Sequence, residues 1–445
     1  GDPTSMTIVV TSRIQHRRGI RSDLPTQLSE GELGWCLDTR QLFIGNSDGF
    51  GDNTEIITQF SQDVLSNVNV LANNTTFARV LATRFADVYN LKDFGAKGDG
   101  SDATAALQRA INVAGSYSTI FAPPGIYGIN SVSVLDGIEI QGAGTSSTIF
   151  RSNANNTVMF DYASGNTTGF GITFKNLQID TVDTQGCTAI RLDGGNTAVR
   201  VQDVRLQNLN IFGNLDAAII LKYAVNSQIS DVFINQVANG VRMETCADLD
   251  LNTVKVQNGS GVGFYILGDN DPTTAFDNGI RLQSCTTNNQ SQGLYIKDQQ
   301  WGIASACSFT TAVNGPCVIE NSSRWKFNSC EFACSSNVNA SVSTDSLSFG
   351  ILWTNSQFVL GSFGLILRGN TYSVTNSWFT DNEQPDIWLD AEQSTIGNNM
   401  LQSTGNINSV EETVNGNCNV ISGNISRGNI FIMGPASISA NNVIC

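Results

Sequence analysis

The stretch NLKDFGAKGDGSDATAALQRAI, residues 90–111, sets Gly95, Gly98 and Gly100 in a short loop that runs straight into an apolar-periodic segment. A phosphate-binding loop is the first reading to test. A Walker loop needs a Gly-Lys-Ser/Thr run after its spacer, but here Lys97 precedes Gly98 and no Lys-Ser/Thr pair follows; the GxGxxG pattern fails at Ala103. Asp99 and Asp102 would also set negative charge where a phosphate would sit. The stretch reads instead as a tight turn into a helix. Ser101 or Asp102 caps it, Ala103, Ala106, Leu107, Ala110, Ile111 and Ala114 share one face, and Gly115 ends it. A one-faced helix ahead of a repeat array is the expected lid on the open end of a stacked core.

The array follows. QISDVFI, LDLNTVKV, FNSCEF, LWTNSQF, SVTNSWF and STIGNNML each run apolar residue, small polar pair, apolar residue. The equivalent positions Phe327, Trp353, Val374 and Ile396 are 26, 21 and 22 residues apart. A period near 22 with two-residue alternation and Asn/Ser turns means short strands stacked coil on coil. The fold class is therefore all-β, a right-handed parallel β-helix over 89–445 with its capping helix at 103–114. A second row, VRME (241–244), LYIK (294–297), CVIE (317–320), LILR (365–368) and IWLD (387–390), puts first and third residues inward and second and fourth outward. Cys285, Cys307 and Cys330 recur in similar contexts 22 and 23 residues apart, which predicts a ladder of buried thiols and folding in a reducing cytoplasm. The polar insertion LGDNDPTTAFDN reads as a protruding loop; its Asp269, Asp271 and Asp277 lack the glycine and terminal Glu of an EF-hand.

GDPTS (1–5) reads as the remnant of a cleaved tag, with a native start at Met6 and no secretion signal after it. Residues 6–60 form an expected small β-rich module, with a hairpin around Asp38-Thr39 inside LSEGELGWCLDTRQLFIGN. Residues 61–88, with mixed helical spacing and no Gly or Pro, predict a helical neck.

DFGAKGDGSDATAALQRAI, followed by the strand-turn-strand of STIFAPPGIYGI, resembles the opening of the pectate-lyase-like right-handed β-helix proteins, which include many bacteriophage tailspikes. RIQHRRG with LSEGELGWCLDTRQLFIGN is similar to N-terminal modules of phage tail fibres and tailspikes. The resemblance implies a homotrimer, assembled in the infected cell's cytoplasm and carried on the virion tail. It would be joined to a tail or baseplate protein through the N-terminal module, and would bind and often cleave bacterial surface polysaccharide. The matching motifs are the cap and the attachment module, so no catalytic residue is carried over.

Composition narrows the chemistry. A net charge of -15 repels polyanions, which excludes nucleic acid, and no apolar run is long enough for membrane insertion. The single histidine, His16, lies in the N-terminal module, so no histidine base serves the β-helix. No CxxC pair or histidine cluster suggests a metal, and no cofactor motif is present. Carboxylates remain, and glycoside hydrolysis needs two of them about 5–9.5 Å apart. Coils about 4.8 Å apart supply that spacing.

The outer column of the second row reads Glu244, Lys297, Glu320, Arg368 and Asp390, with Asp298 beside Lys297 and Asp345 near Glu320. A ladder of mutually neutralising charges, Lys297 with Glu320 and Arg368 with Asp390, is the plain expectation. The catalytic alternative pairs Glu320 with Asp298, flanked by Trp301, Trp325 and Tyr295 as sugar platforms and by Lys297 and Arg368. A second candidate lies in DIWLDAEQ, where Asp386, Trp388, Asp390 and Glu392 are expected to face outward together. Non-enzymatic binding and uronate lyase chemistry are the competing functions.

Overall fold

The computed structural model describes residues 16–46, 53–58, 68–71, 76–165, 167–269, 279–335, 339–402 and 408–445. It divides into two compact units, Gly1–Asp87 and Val88–Cys445.

In the first unit, Leu33–Cys36 pairs antiparallel with Leu42–Ile44, which pairs in turn with Thr54–Ile56; Arg17–Gly19 adds a parallel edge. The hairpin turns where expected, with Cys36 N donating to Gln41 O (2.9 Å) and Arg40 left-handed at φ 57°. Leu28, Cys36 and Phe43 form its buried centre, and the Arg21 guanidinium lies 4.4 Å from the centroid of Phe43. The helical neck is corrected where it is described. Asn69–Val70 pairs antiparallel with Arg79–Val80, and the helix that follows, Leu81–Phe85, has five residues. The remainder of 61–88, apart from 68–71 and 76–88, lies outside the described residues.

The second unit is a parallel β-helix of three faces. On the first face, residues paired rung to rung run Phe174, Leu206, Ile229, Leu251, Leu282, Ala304, Phe327, Trp353, Val374, Ile396 and Ile421. All of them are buried, so one column of the repeat is one column of core. The four positions spaced 26, 21 and 22 apart in sequence are thus direct neighbours in register.

The small polar pair turns the chain onto the second face. Its first member takes the left-handed conformation, with φ between 50° and 57° at Asn176, Asn208, Asp231, Thr253, Ser284, Ala306, Ser329, Asn355, Asn376 and Asn398. Asn and Asp tolerate that region because a short polar side chain bonds locally. The second member points inward and accepts from the backbone of the preceding coil. Cys330 N donates to Ser356 Oγ (3.3 Å), Ser356 N to Ser377 Oγ (3.2 Å), Ser377 N to Asn399 Oδ1 (2.9 Å) and Asn399 N to Asn424 Oδ1 (3.0 Å). The thiols of Cys285, Cys307 and Cys330 occupy the same corner on earlier coils, all buried and each donating to a carbonyl. Further along the core, burial pushes the Cys334 thiol up to about 11 and Cys317 well above the ordinary 9.0.

Aromatic stacks extend the pattern on the second face. Phe309, Phe332, Phe358 and Phe379 pair in register with ring centroids 5.6, 5.4 and 4.5 Å apart. Each such pair adds about 0.5–1.5 kcal/mol beyond its burial.

The helix Thr104–Ala114 precedes these coils and buries Ala106, Leu107, Ala110 and Ile111 in the same core. Asp102 Oδ1 accepts from Thr104 N (2.9 Å) and Thr104 Oγ1 (2.6 Å), contacts that hold its carboxyl below the ordinary range. Gly115 closes the helix at φ 70°, donating to Ile111 O (2.9 Å).

Candidate functional site

The third face carries the second row of strands, and its outward side chains form two adjacent columns. One runs Ile220, Arg242, Tyr265, Tyr295, Val318; the other runs Lys222, Glu244, Leu267, Lys297, Glu320. In the first, the Arg242 guanidinium sits 5.1 Å from the Tyr265 centroid, and Tyr265 stacks on Tyr295 at 5.0 Å with the rings 10° from parallel. The tyrosine column then meets the charged one on the diagonal. Tyr295 donates through its hydroxyl to Glu320 Oε2 (2.6 Å), and Lys297 Nζ lies 3.7 Å from the same oxygen. Burial and then the bond to Glu320 push the Tyr295 hydroxyl well above its ordinary 10.0, so it stays a donor at neutral pH.

Asp298 stands at the corner after Lys297, left-handed at φ 56°, with its backbone N donating to Glu320 O (3.1 Å). Its Oδ1 accepts from Asn321 Nδ2 (2.6 Å), from the residue next to Glu320. The two candidate residues therefore lie on neighbouring coils, whose strands are about 4.8 Å apart. Each has one oxygen engaged, and among the described contacts nothing bonds Glu320 Oε1 or Asp298 Oδ2. Two acids so placed suit proton transfer to a glycosidic oxygen paired with attack from the opposite side.

Several expected site residues serve the structure instead. Trp325 is fully buried, with Ser323 and Phe327 on the same inward side of its strand, and stacks on Phe327 at 5.9 Å. It belongs to the core and is no sugar platform. Tyr295 is half-buried under Tyr265, so it orients Glu320 rather than offering a free ring. Glu244 is bound by Lys222 Nζ (2.8 Å) and by Arg242, which neutralise it. Asp390 accepts from Thr413 Oγ1 and from Asn415 Nδ2 (3.0 Å). Arg368 is its neighbour in register, yet no ion pair joins them among the described residues. Asp386 is buried outright, accepting from Asn382 Nδ2 (3.0 Å), where an outward position was expected. Asp345 caps a turn, taking Asn321 N (3.0 Å) and Ser348 Oγ (2.7 Å).

Other expectations keep their outward placement. Trp301 is 47% exposed at the start of the first face, with the Arg324 guanidinium 4.9 Å from its ring. Glu392 is exposed, and Trp388 packs edge-on against Phe363 at 5.7 Å. Asp271 and Asp277 lie outside the described residues. Tyr265, Arg242 and Asn321 were missed. FYIL (264–267) has the same alternation as the other row segments, but a register shift between Gly259 and Val262 offsets it from the simple period.

Comparison with known proteins follows the same division of the chain. Residues 88–342 match the family model described as rhamnogalacturonase A/epimerase, pectate lyase-like, and residues 14–46 match the major tropism determinant N-terminal domain. No curated protein matches. Among solved structures, tailspike protein 3 of bacteriophage CBA120 is 11% identical with a TM-score of 0.59, covering 96% of this chain and 76% of that one. DFA-IIIase from Arthrobacter chlorophenolicus A6 without its lid is 12% identical with a TM-score of 0.57, covering 80% and 99%. The mannuronan C-5 epimerase AlgE6 A-module of Azotobacter vinelandii is 15% identical with a TM-score of 0.53, also covering 80% and 99%. At these identities the likeness is one of fold.

Proposed function

The chain belongs to the rhamnogalacturonase A/epimerase, pectate lyase-like family, and from that premise we propose that it is a bacteriophage tailspike that binds and hydrolyses a bacterial surface polysaccharide, an O-antigen or a capsule. The carrying observation is the pair Glu320 and Asp298, one coil apart, each with an oxygen left open beside a fixed neighbour. Asp298 gives its proton to the glycosidic oxygen as the C–O bond breaks. Glu320, held through Oε2 by Tyr295 and Lys297, takes the proton of the attacking water or attacks the anomeric carbon itself. Trp301, near the same corner and half-exposed, offers an apolar face to a sugar ring.

The match of residues 14–46 to the tropism-determinant domain supports a division of labour. In this proposal, residues 6–60 join the tail or baseplate and the β-helix of 89–445 handles the glycan, as a homotrimer on the virion tail. Buried thiols that form no disulfide are compatible with assembly in the reducing host cytoplasm.

The test is incubation with purified host polysaccharide. Wild type releases new reducing ends, while Glu320→Gln and Asp298→Asn each lower the rate by about 10²–10⁴-fold, the range for losing a positioned acid or base. Retained binding with no new reducing ends in wild type establishes a receptor-binding protein instead. That second reading is favoured by the engagement of Glu244 and Asp390 with structural partners. Unsaturated uronate ends establish a lyase.

A further inference from the structure

None of the carboxylates selected above lines the groove at the opposite end of the third-face strands. There, the turns leading from the second face to the third border an open hollow of about 980 Å³ on successive coils between 156 and 260. We propose that this hollow is a second glycan site, one that holds a neutral, hydroxyl-rich saccharide without cleaving it. For the kind of ligand, the inference rests on the polysaccharide reading given above.

The chemistry of the walls selects the ligand. Gln185, Asn214 and Gln236 line the hollow, are exposed, and have side-chain amides with no partner among the described contacts. An amide both donates and accepts, which matches a sugar hydroxyl that does the same. Asp216 is the one charged side chain of the lining, and neither Lys nor Arg is present to balance a uronate, sulfate or phosphate. A lone carboxylate accepts sugar hydroxyls well, yet hydrolysis needs two. Val182, 58% exposed on the same wall, gives the C–H face of a sugar an apolar contact.

The floor shows that the hollow is built. Thr181 is 7% exposed, lines the groove, and its Oγ1 has no hydrogen-bond partner. The exposed amides of the walls are what a ligand meets, because almost no solvent reaches that oxygen. Gly213 lies directly against it: a Cβ there would meet Thr181 O at 2.3 Å and Oγ1 at 2.4 Å, and φ is 100°. Any larger residue would shift the floor. From Val237, in this groove, to Glu244, beside the tyrosine column, a strand of eight residues spans about 23 Å. Glu320 lies three coils beyond Glu244, about 14 Å further along the stack, so a polysaccharide chain running obliquely over the third face spans the groove and the Glu320–Asp298 pair.

The experiment applies the full chain to an array of neutral and anionic bacterial oligosaccharides, with Gln236→Ala, the double variant Gln185→Ala/Asn214→Ala, and Glu320→Gln alongside wild type. Gln236→Ala trims an exposed side chain, so its unfolding midpoint is expected to be unchanged. Wild type and Glu320→Gln retain neutral oligosaccharides, and both groove variants weaken that retention by about tenfold, the loss of roughly one hydrogen bond. Retention undiminished in both groove variants, confined to anionic glycans, or absent from wild type overturns the proposal. Release of reducing ends is measured in parallel: cleavage with unaltered groove variants refutes the groove alone. Groove-dependent retention without cleavage refutes the hydrolase alone.

Discussion

At the residue scale, Tyr295 is the side chain whose placement matters most for Glu320. Its folded pKa is raised, so the stabilisation it brings is complete below the unfolded value of 10.0 and is lost as pH rises toward the folded one. Tyr295→Phe is therefore expected to flatten the alkaline decline of stability above about pH 10 in thermal melts recorded against pH. The two tryptophans make the complementary case. Trp325→Ala opens a cavity in the stack and is expected to cost about 3–5 kcal/mol by denaturant unfolding. Trp301→Ala leaves the melt nearly unchanged and weakens glycan binding. The alternation in Ser323–Asn328 already carried the burial of Trp325, because Ser323, Trp325 and Phe327 share a parity. Choosing the residue for its aromatic type overrode that parity. The bond from Tyr295 to Glu320 had no signal of its own, since it joins residues 25 apart and depends on a diagonal across two columns.

At the element scale, the coil is the unit, and the corner between its first two faces sets the register. The ladder through Ser356, Ser377, Asn399 and Asn424 satisfies backbone donors that no strand reaches. Asn424 accepts from Asn399 N and donates to Ile396 O (3.0 Å), so Asn424→Ala strands two buried groups. The expected cost is about 2–4 kcal/mol, read from the denaturant midpoint at constant m-value. This level was the most legible in the sequence. A repeated apolar–polar–polar–apolar motif can stack in few ways, and its spacing identified the residues that pair. What the spacing left unread was the use of each outward charge. Glu244, Asp345 and Asp390 differ from Glu320 in which neighbours on adjacent coils or in turns reach them, and the partners Lys222, Asn321 and Asn415 lie 22, 24 and 25 residues away in sequence.

At the scale of the whole molecule, the period and the capping helix specified the β-helix, and family membership agrees with both. The neck was the weaker reading, because mixed apolar spacing over 61–88 has no caps to anchor a helix, and its described part favours a short strand pair. The long third face joins two chemically different regions: an amide-lined groove with one carboxylate, at the start of its strands on earlier coils, and a carboxylate pair at their end on later ones. The central claim is that Glu320 and Asp298 flank the bond that breaks. A crystal structure of Glu320→Gln, soaked with an oligosaccharide cut from the host polysaccharide, tests it most directly. The account predicts a glycosidic oxygen within hydrogen-bond reach of Asp298, and the anomeric carbon of that linkage facing position 320. A saccharide bound productively elsewhere, with both positions out of contact, would contradict it.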